Sequence, residues 1–288
     1  MFLQLIISGL TVGFLYALIG LGFVIIYKAT SILNIAQGEM VMLGAFIGYT
    51  LNLYFKLPFP VLFLSVFVLT ALFGILIDLI AFRPLKHAPE STLIMATLAI
   101  LIIIQSGARL VWGDDVYPFP PVFNPMAKRV GRIFITPQNV WLMVIAAGLM
   151  TALFVFFQFT KMGKAMRATQ QRPETASLMG ISVKRVFSLS WAISSALGGV
   201  TGVLVAPLLG VSPSMGWIGI KAYAAVILGG FNSLPGAVVG GLSLGIIENL
   251  AGGYLSSAVK EITGFFVLIL VLVIRPTGLL GRKVVNKV

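Results

Sequence analysis

The chain of 288 residues has no cysteine, one histidine and only eight acidic residues. Without cysteine there are no disulfides, no thiolate nucleophile and no thiolate metal site. The histidine, His87, stands two residues before Pro89 with no nucleophile at a recognisable spacing, so it reads as a solvated loop residue and not as a catalytic base. The phosphate-binding pattern G-x-x-x-x-G-K-[ST] is missing as well. Gly163–Lys164 lacks the upstream glycine and is followed by Ala165, so the chain is not expected to hydrolyse ATP. Asp114–Asp115 has no second acidic cluster with which to hold catalytic metal, and reads as a solvated pair or a contact for a basic partner. No catalytic residue and no metal site emerge.

Charge is scarce too. Charged residues make up 10% of the chain, against about 25% in a soluble domain. Hydrophobic residues supply 59% and the mean hydropathy is +1.06. The composition is that of an integral membrane protein. The net charge of +12 does not point to nucleic acid, because the cations cluster between apolar runs without interleaved aromatics. It reads as an orientation signal.

A spanning helix needs about 20 apolar residues for a hydrocarbon core of about 30 Å. Runs at 3–26, 36–55, 59–82, 92–111, 139–159, 186–208 and up to 274 meet that need. The first reads as a span that stays attached, since it has no basic start and no small-residue cleavage site. Region 217–250 resists being one span. Its first limb, 221–230, reaches only about 15 Å as a helix, and Gly229, Gly230 and the segment 232–236 interrupt it. Broken backbone at membrane depth survives only where protein or a water-filled cavity surrounds it. Asn34 precedes Gly38 as Asn232 precedes Gly236, a two-residue echo that is either chance or a trace of an internal repeat. The expected fold is all-α and polytopic, with 8–9 crossing segments including a broken or re-entrant pair.

The stretch 161–185, KMGKAMRATQQRPETASLMGISVKR, fixes the sides. It carries Lys161, Lys164, Arg167, Arg172, Lys184 and Arg185 against Glu174 alone. Each cation at a helix centre costs roughly 2.5–3.5 kcal/mol, so the loop stays in water, on the cytoplasmic side by the positive-inside rule. Lys28, Arg83, Lys86 and the tail cations Arg275, Arg282, Lys283 and Lys287 fall on the same side, which leaves the N-terminus outside and the C-terminus cytoplasmic. Within the loop, Pro173 suits a first helical turn, Glu174 the positive helix end and Gly180 a helix stop. A short helix over 173–179 is predicted, presenting Ala176, Leu178 and Met179 as a docking element. The outer loop, 112–138, is denied continuous helix by Pro118, Pro120, Pro121, Pro125 and Pro137. G-x-x-x-G spacings at Gly9/Gly13, Gly44/Gly48, Gly198/Gly202, Gly236/Gly240 and Gly241/Gly245 favour close packing inside one chain over a dimer seam. Asp78 and Glu39 are acids in apolar runs, functional candidates by default, with pairing to nearby Arg83 or Lys28 the simpler account. The whole of 1–288 reads as one membrane domain.

Four ordered blocks carry a resemblance: GLTVGFLYALIGLGFVIIYKATSILNIAQGEMVMLGAF at 9–46, MRATQQRPETASLMGISVKRV at 166–186, KAYAAVILGGFNSLPGAVVGGLSLGIIE at 221–248 and RPTGLLGR at 275–282. Together they resemble the LivH-type permeases of branched-chain amino acid ABC importers. The central block is also similar to the E-A-A-x-x-x-G loop of importer permeases, with Thr175 in place of the middle alanine. The resemblance implies a non-catalytic permease subunit of a bacterial inner membrane, in contact with membrane lipid and without a cofactor of its own. Two cytoplasmic ATPase subunits using ATP and Mg would dock on Pro173, Glu174, Ala176, Leu178, Met179 and Gly180. A second homologous permease would complete the passage, and a periplasmic binding protein would deliver substrate. The cargo would be a branched-chain or other neutral amino acid, relatives of this kind also carrying amides and urea. Tyr16, Asn34, Gln37, Tyr223 and Asn232 are the polar candidates for the pathway, packing being the competing role for each. A secondary carrier or channel for small polar solutes is the alternative, and it has no use for an ordered helix at 173–179.

Overall fold

In hydrocarbon every backbone polar group must find its partner within the protein, so long apolar runs fold as helices. The computed structural model describes residues 1–85, 88–120, 128–130, 133–275 and 277–281. Lys86, His87, Pro121, Pro125, Arg282, Lys283 and Lys287 lie outside the described residues. In chain order the helices are α1 (Phe2–Thr30), α2 (Gln37–Phe55), α3 (Phe59–Ile77, continued by a π-helical turn Asp78–Phe82), α4 (Glu90–Trp112), α5 (Pro137–Phe159), α6 (Lys161–Gln171), α7 (Pro173–Leu178), α8 (Val183–Leu209), α9 (Ile218–Gly229), α10 (Leu234–Tyr254) and α11 (Ser257–Ile274). A two-stranded ribbon, β1 (Lys128–Val130) with β2 (Ile133–Ile135), belongs to the loop before α5. Among the described residues seven helices are long and apolar enough to cross a membrane: α1, α3 with its π turn, α4, α5, α8, α10 and α11.

The ends of these helices gather on two opposite faces. On one face, the Gln4 amide pairs with the backbone of Phe134, donating at 2.8 Å and accepting at 2.9 Å. There too Tyr117 and Val211 exchange backbone hydrogen bonds of 2.8 Å, and Trp112 donates to Thr50 at 2.8 Å. The opposite face carries Lys28, α6, α7 and the turn before α10. Leu279 and Leu280 close it by donating to the carbonyls of Leu228 and Gly229, each at 2.9 Å.

Two segments leave helix between these faces. After α1 the chain turns back through Ser31, in the left-handed region at φ 58°, and 31–36 climbs without helical bonds to Gln37. There the side-chain amide of Gln37 donates to Ser194 O at 3.0 Å, while the Ser194 hydroxyl lies 2.8 Å from both Gly22 O and Gln37 Oε1. After α8 the chain turns inward again from the other face through 210–217, ending in a 3-10 turn Pro213–Trp217. The two irregular segments meet. Gly38 lies so close to Gly216 and Gly219 that a β-carbon would overlap their backbone. α9 then completes the passage as a half-helix of 12 residues, about 18 Å long.

This half-helix is the short limb expected from the sequence, but the break expected at 232–236 lies elsewhere. It is a turn on the α6 face beside Lys28 and Arg167, where Ser233 caps α10 by accepting from Gly236 N at 3.1 Å. The non-helical backbone enclosed within the bundle is instead 31–36 and 210–217. The structural counterpart of the irregular segment before α2 is therefore the one before α9, and the Asn–Gly echo is not a repeat.

The repeat that does exist is in the packing. α1 meets α10 through Gly9 and Gly13 against Gly245 and Gly241, and α8 meets α3 through Gly74 against Trp191 and Ser195. α8 likewise meets α2 through Gly199 and Gly202 against Gly44 and Val41, as α1 meets α9 through Gly20 against Val226. The triplets α1–α2–α3 and α8–α9–α10 thus repeat one arrangement with reversed direction, an inverted-topology repeat. All five G-x-x-x-G pairs make contacts within this chain, as the sequence favoured.

Where a glycine faces backbone the neighbour has no rotamer with which to yield. Gly202→Leu should lower thermal stability by the upper end of the ~1–3 kcal/mol overpacking range or more, measured by unfolding of the detergent-solubilised protein. Gly107→Leu and Gly148→Leu, where nothing lies within 4 Å, should be neutral. Equal loss at all three would refute the packing.

Candidate coupling surface and intramembrane polar site

α6 follows α5 after one residue. The Thr160 hydroxyl caps it, accepting from Gly163 N at 3.0 Å, and Gly163, Met166 and Thr169 form its buried side. Arg167 donates to Gln158 Oε1 at 2.9 Å and ties α6 back to α5. α7 is one further turn and a half, begun by Pro173 with Glu174 in its first turn. It ends in a full Schellman closure: Gly180 N donates to Ser177 O and Ile181 N to Ala176 O, each at 3.0 Å, with Gly180 at φ 80°. The chain therefore reverses sharply and leaves Leu178 88% and Met179 80% exposed at the tip. Pro173, Glu174 and Gly180 are exposed as well. Ala176 departs from expectation, since it is buried beneath α7 and anchors the turn in place of presenting itself outward.

The second site is a network of charge inside the membrane-spanning bundle. Tyr16 of α1 donates to Glu248 Oε2 of α10 at 2.8 Å. Lys221 of α9 lies 3.8 Å from Glu248 Oε1 and 3.1 Å from Glu261 Oε2 of α11. Lys260 donates to Asn249 Oδ1 at 3.4 Å. Glu248 is fully buried, and an ionised carboxylate there is tolerable only with such a cation and donor in place. The group borders a cavity of about 440 Å³. Val12, Leu15 and Leu208 form apolar wall, Tyr16, Ser214, Lys221 and Glu261 the polar lining. Its size and mixture are those of a small-molecule site.

Of the pathway candidates only Tyr16 reaches this cavity. Asn34 and Gln37 are bonded to each other at 3.3 Å and sealed into the knot with Ser194. Tyr223 packs edge-on against Phe23 at 5.4 Å and Phe231 at 5.6 Å. Asn232 lines a different cavity, on the α6 face. Asp78 does pair locally, 3.6 Å from Arg83 and accepting from Ser188 at 2.5 Å. Glu39 does not: it is buried against Gly216, and its Oε2 has no hydrogen-bond partner among the described residues. In the acidic pair of the other face, Asp114 meets Arg109 at 3.2 Å. Lys221, Glu248 and Glu261 are not among the candidates read from the sequence, although isolated charges inside an apolar region are the available signal.

These features define a polytopic permease: interrupted helices in an inverted repeat, a polar intramembrane cavity and a capped basic hairpin of helices on one face. A family model described as the branched-chain amino acid transport system permease component matches residues 5–274. The chain is 34% identical to the high-affinity branched-chain amino acid transport system permease protein LivH of Escherichia coli (strain K12), covering 100% of this chain and 98% of LivH. It is 24% identical to LivM of the same organism, over 94% of this chain and 68% of LivM. Among solved structures, PsaBC from Streptococcus pneumoniae in complex with a Fab shares the fold, with a TM-score of 0.50 at 16% identity over 96% of this chain and 92% of that one. The chain belongs to the branched-chain amino acid transport permease family, and is a multi-pass membrane protein.

Removing one partner of the buried pair strands the other. Lys221→Met should destabilise the chain by about 3–5 kcal/mol, and Lys221→Met with Glu248→Leu should recover most of that loss. Equilibrium unfolding in mixed detergent reads both. A double variant no better than the single would show that Lys221 and Glu248 are not coupled.

Proposed function

We propose that this chain forms half of the membrane passage of an ATP-driven importer of branched-chain or other neutral amino acids, as a single permease domain. A second homologous permease supplies the other half, two cytoplasmic ATPase subunits supply ATP hydrolysis with Mg, and a periplasmic binding protein delivers cargo to the outer face. Membership of the family supports the division of labour. The observation that carries it is α7: a helix of six residues, begun by Pro173 and closed by Gly180, holds two large apolar side chains exposed on the face richest in cations. A channel or carrier has no need of such a tip, whereas an ATPase groove does.

On this reading the α6–α7 face is cytoplasmic, by the excess of Lys and Arg there. The N-terminus of α1 then lies outside. α2 and α9, each with the irregular segment that leads into it, add two crossings to the seven apolar helices, nine in all, and return the C-terminus to the cytoplasm. The 440 Å³ cavity lies toward the outer side of the 3-10 turn. An amino acid zwitterion suits it, with its carboxylate toward Lys221, its ammonium toward Glu261 and its aliphatic side chain along Val12 and Leu208.

Coupling follows from continuity. α7 leads directly into α8, and α8 carries Ser194, which holds Gly22 of α1 and Gln37 of α2. The far end of α8 leads into 210–217, which borders the cavity. A displacement of α7 therefore reaches both irregular segments through one rigid helix. Closure of the ATPase pair by ATP favours one arrangement by its differential affinity for the two, which is all that alternating access requires.

Leu178→Asp and Met179→Asp should leave membrane insertion intact, because both side chains lie in the aqueous loop. Each removes an apolar contact of about 1.5–3 kcal/mol, weakening ATPase association by about 10- to 100-fold. Glu174→Lys, which perturbs only a helix start of about 0.3–1 kcal/mol, should do less. Retention of the ATPase on affinity-purified permease measures the series. Undiminished retention in the double aspartate variant would overturn the docking role.

A further inference from the structure

Two cavities on the outside of the bundle adjoin one another and share Phe154, Leu234 and Pro235 in their walls. The first, about 340 Å³, is a groove between α1, α5 and α10, walled by Leu21, Met150, Phe154, Val238 and Val239. With Thr151 as the polar exception, its lining is apolar, and it opens outward, Phe154 being 52% exposed. The second, about 330 Å³, is mixed, with Phe157 in its wall beside polar and basic groups, and lies nearer the α6 face. Lys28 of α1, Arg167 of α6, Gln158 of α5 and Asn232 and Ser233 before α10 line it, and among the described residues no acidic side chain does. The positive end of the α10 dipole points into the same space.

We propose that the groove and the pocket together bind one phospholipid with an anionic headgroup, in the leaflet of the α6–α7 face. Each half alone is ordinary for a membrane protein. Their order is what selects the occupant. Leu21 lies seven residues before Lys28 on one helix, which places the apolar wall about 10 Å deeper than the cation. That is the succession of an acyl chain below a phosphate. The groove is at membrane depth, so its ordinary solvent is lipid tail, and a soluble anion would leave it unfilled. Basic pockets between helices on the cytoplasmic side hold anionic headgroups by the same chemistry.

The site also has a position that matters. Arg167 stands on α6, bonded to the end of α5, while Asn232 and Ser233 belong to the turn joining α9 to α10. A bound headgroup therefore ties the segment that leads into α7 to the end of the half-helix α9. The lipid bridges two parts that the chain itself leaves as separate surface elements.

The test uses the full chain in detergent, loaded with equimolar phosphatidylglycerol and phosphatidylcholine and examined by native mass spectrometry. Phosphatidylglycerol should be retained preferentially, and Lys28→Gln and Arg167→Gln should each reduce that preference about fivefold, the effect of one cation near an anionic surface. Lys28→Arg and Arg167→Lys should keep the preference, which separates charge from misfolding. Thr151→Trp, which fills the groove without touching a charge, should also release the lipid. Glycerol phosphate, the headgroup chemistry without chains, should not compete at concentrations where phosphatidylglycerol does. Equal retention of the two lipids, an unchanged preference in the double glutamine variant, full competition by glycerol phosphate, or no effect of Thr151→Trp would each overturn the proposal.

Discussion

The structure depends on satisfying irregular backbone away from water. Twice the chain leaves helix inside the bundle, at 31–36 and at 210–217, and unpaired N–H and C=O groups there would cost several kcal/mol each if they faced lipid. The answer is to enclose both segments in protein, the 3-10 turn of the second packing against α2, α4 and α9. The Ser194 hydroxyl and the Gln37 amide do this locally by tying α1, α2 and α8 at one point. The glycines follow from the same demand, because backbone that must be wrapped closely leaves no room for side chains. Gly38, in the first turn of α2, meets Gly216 of the second irregular segment, and only hydrogen atoms fit there.

Enclosure of that kind makes the centre stiff and leaves adaptability to the ends. α4, α5 and α11 are largely exposed and surround the core as a looser layer. The charged network of Tyr16, Lys221, Glu248 and Glu261 adds polar links to the packing of α11 against α9 and α10. A buried ion pair adds little net stability but is severely penalised when one member is lost. It therefore specifies the position of α11 against α9 and α10 more than it strengthens the fold. That positioning also shapes the cavity, which is lined by both signs of charge through Lys221 and Glu261.

Much of this was legible in the sequence. The long spans were set by hydropathy, and the helix at α7 by Pro173, Glu174 and Gly180, whose local chemistry needs no tertiary context. The half-helix α9 was legible because too few apolar residues precede Gly229 to make a full span. What no local pattern gave was the neighbourhood of the turn at 232–236. Pro235, Gly236 and Asn232 mark a turn equally well at a membrane face or at its centre, and the deciding neighbours, Lys28 and Arg167, come from distant parts of the chain. Segment 210–217 carries no local signal of its surroundings: its Ser and Pro residues are enclosed by α2, α4 and α9, as where Gln105 donates to Pro213 O at 3.4 Å. Tyr16 and Glu248 are 232 positions apart, and no local pattern announces their bond. Ala176 was misjudged because a helix of six residues does not declare which side faces the protein.

The central claim is that α9, together with 210–217, crosses the whole membrane, so that the chain passes nine times and the α6–α7 hairpin and the turn at 232 share the cytoplasmic side. The absence of cysteine makes the test direct. Single cysteines at Asp115, which precedes the Tyr117–Val211 pairing, and at Gln171 and Asn232 can be labelled in oriented vesicles with an impermeant thiol reagent. The account predicts that Asp115→Cys reacts only from the outside and that Gln171→Cys and Asn232→Cys react only from the cytoplasmic side. Reaction of Asn232→Cys from the same side as Asp115→Cys would contradict it, because 210–229 would then dip into the membrane and return without crossing.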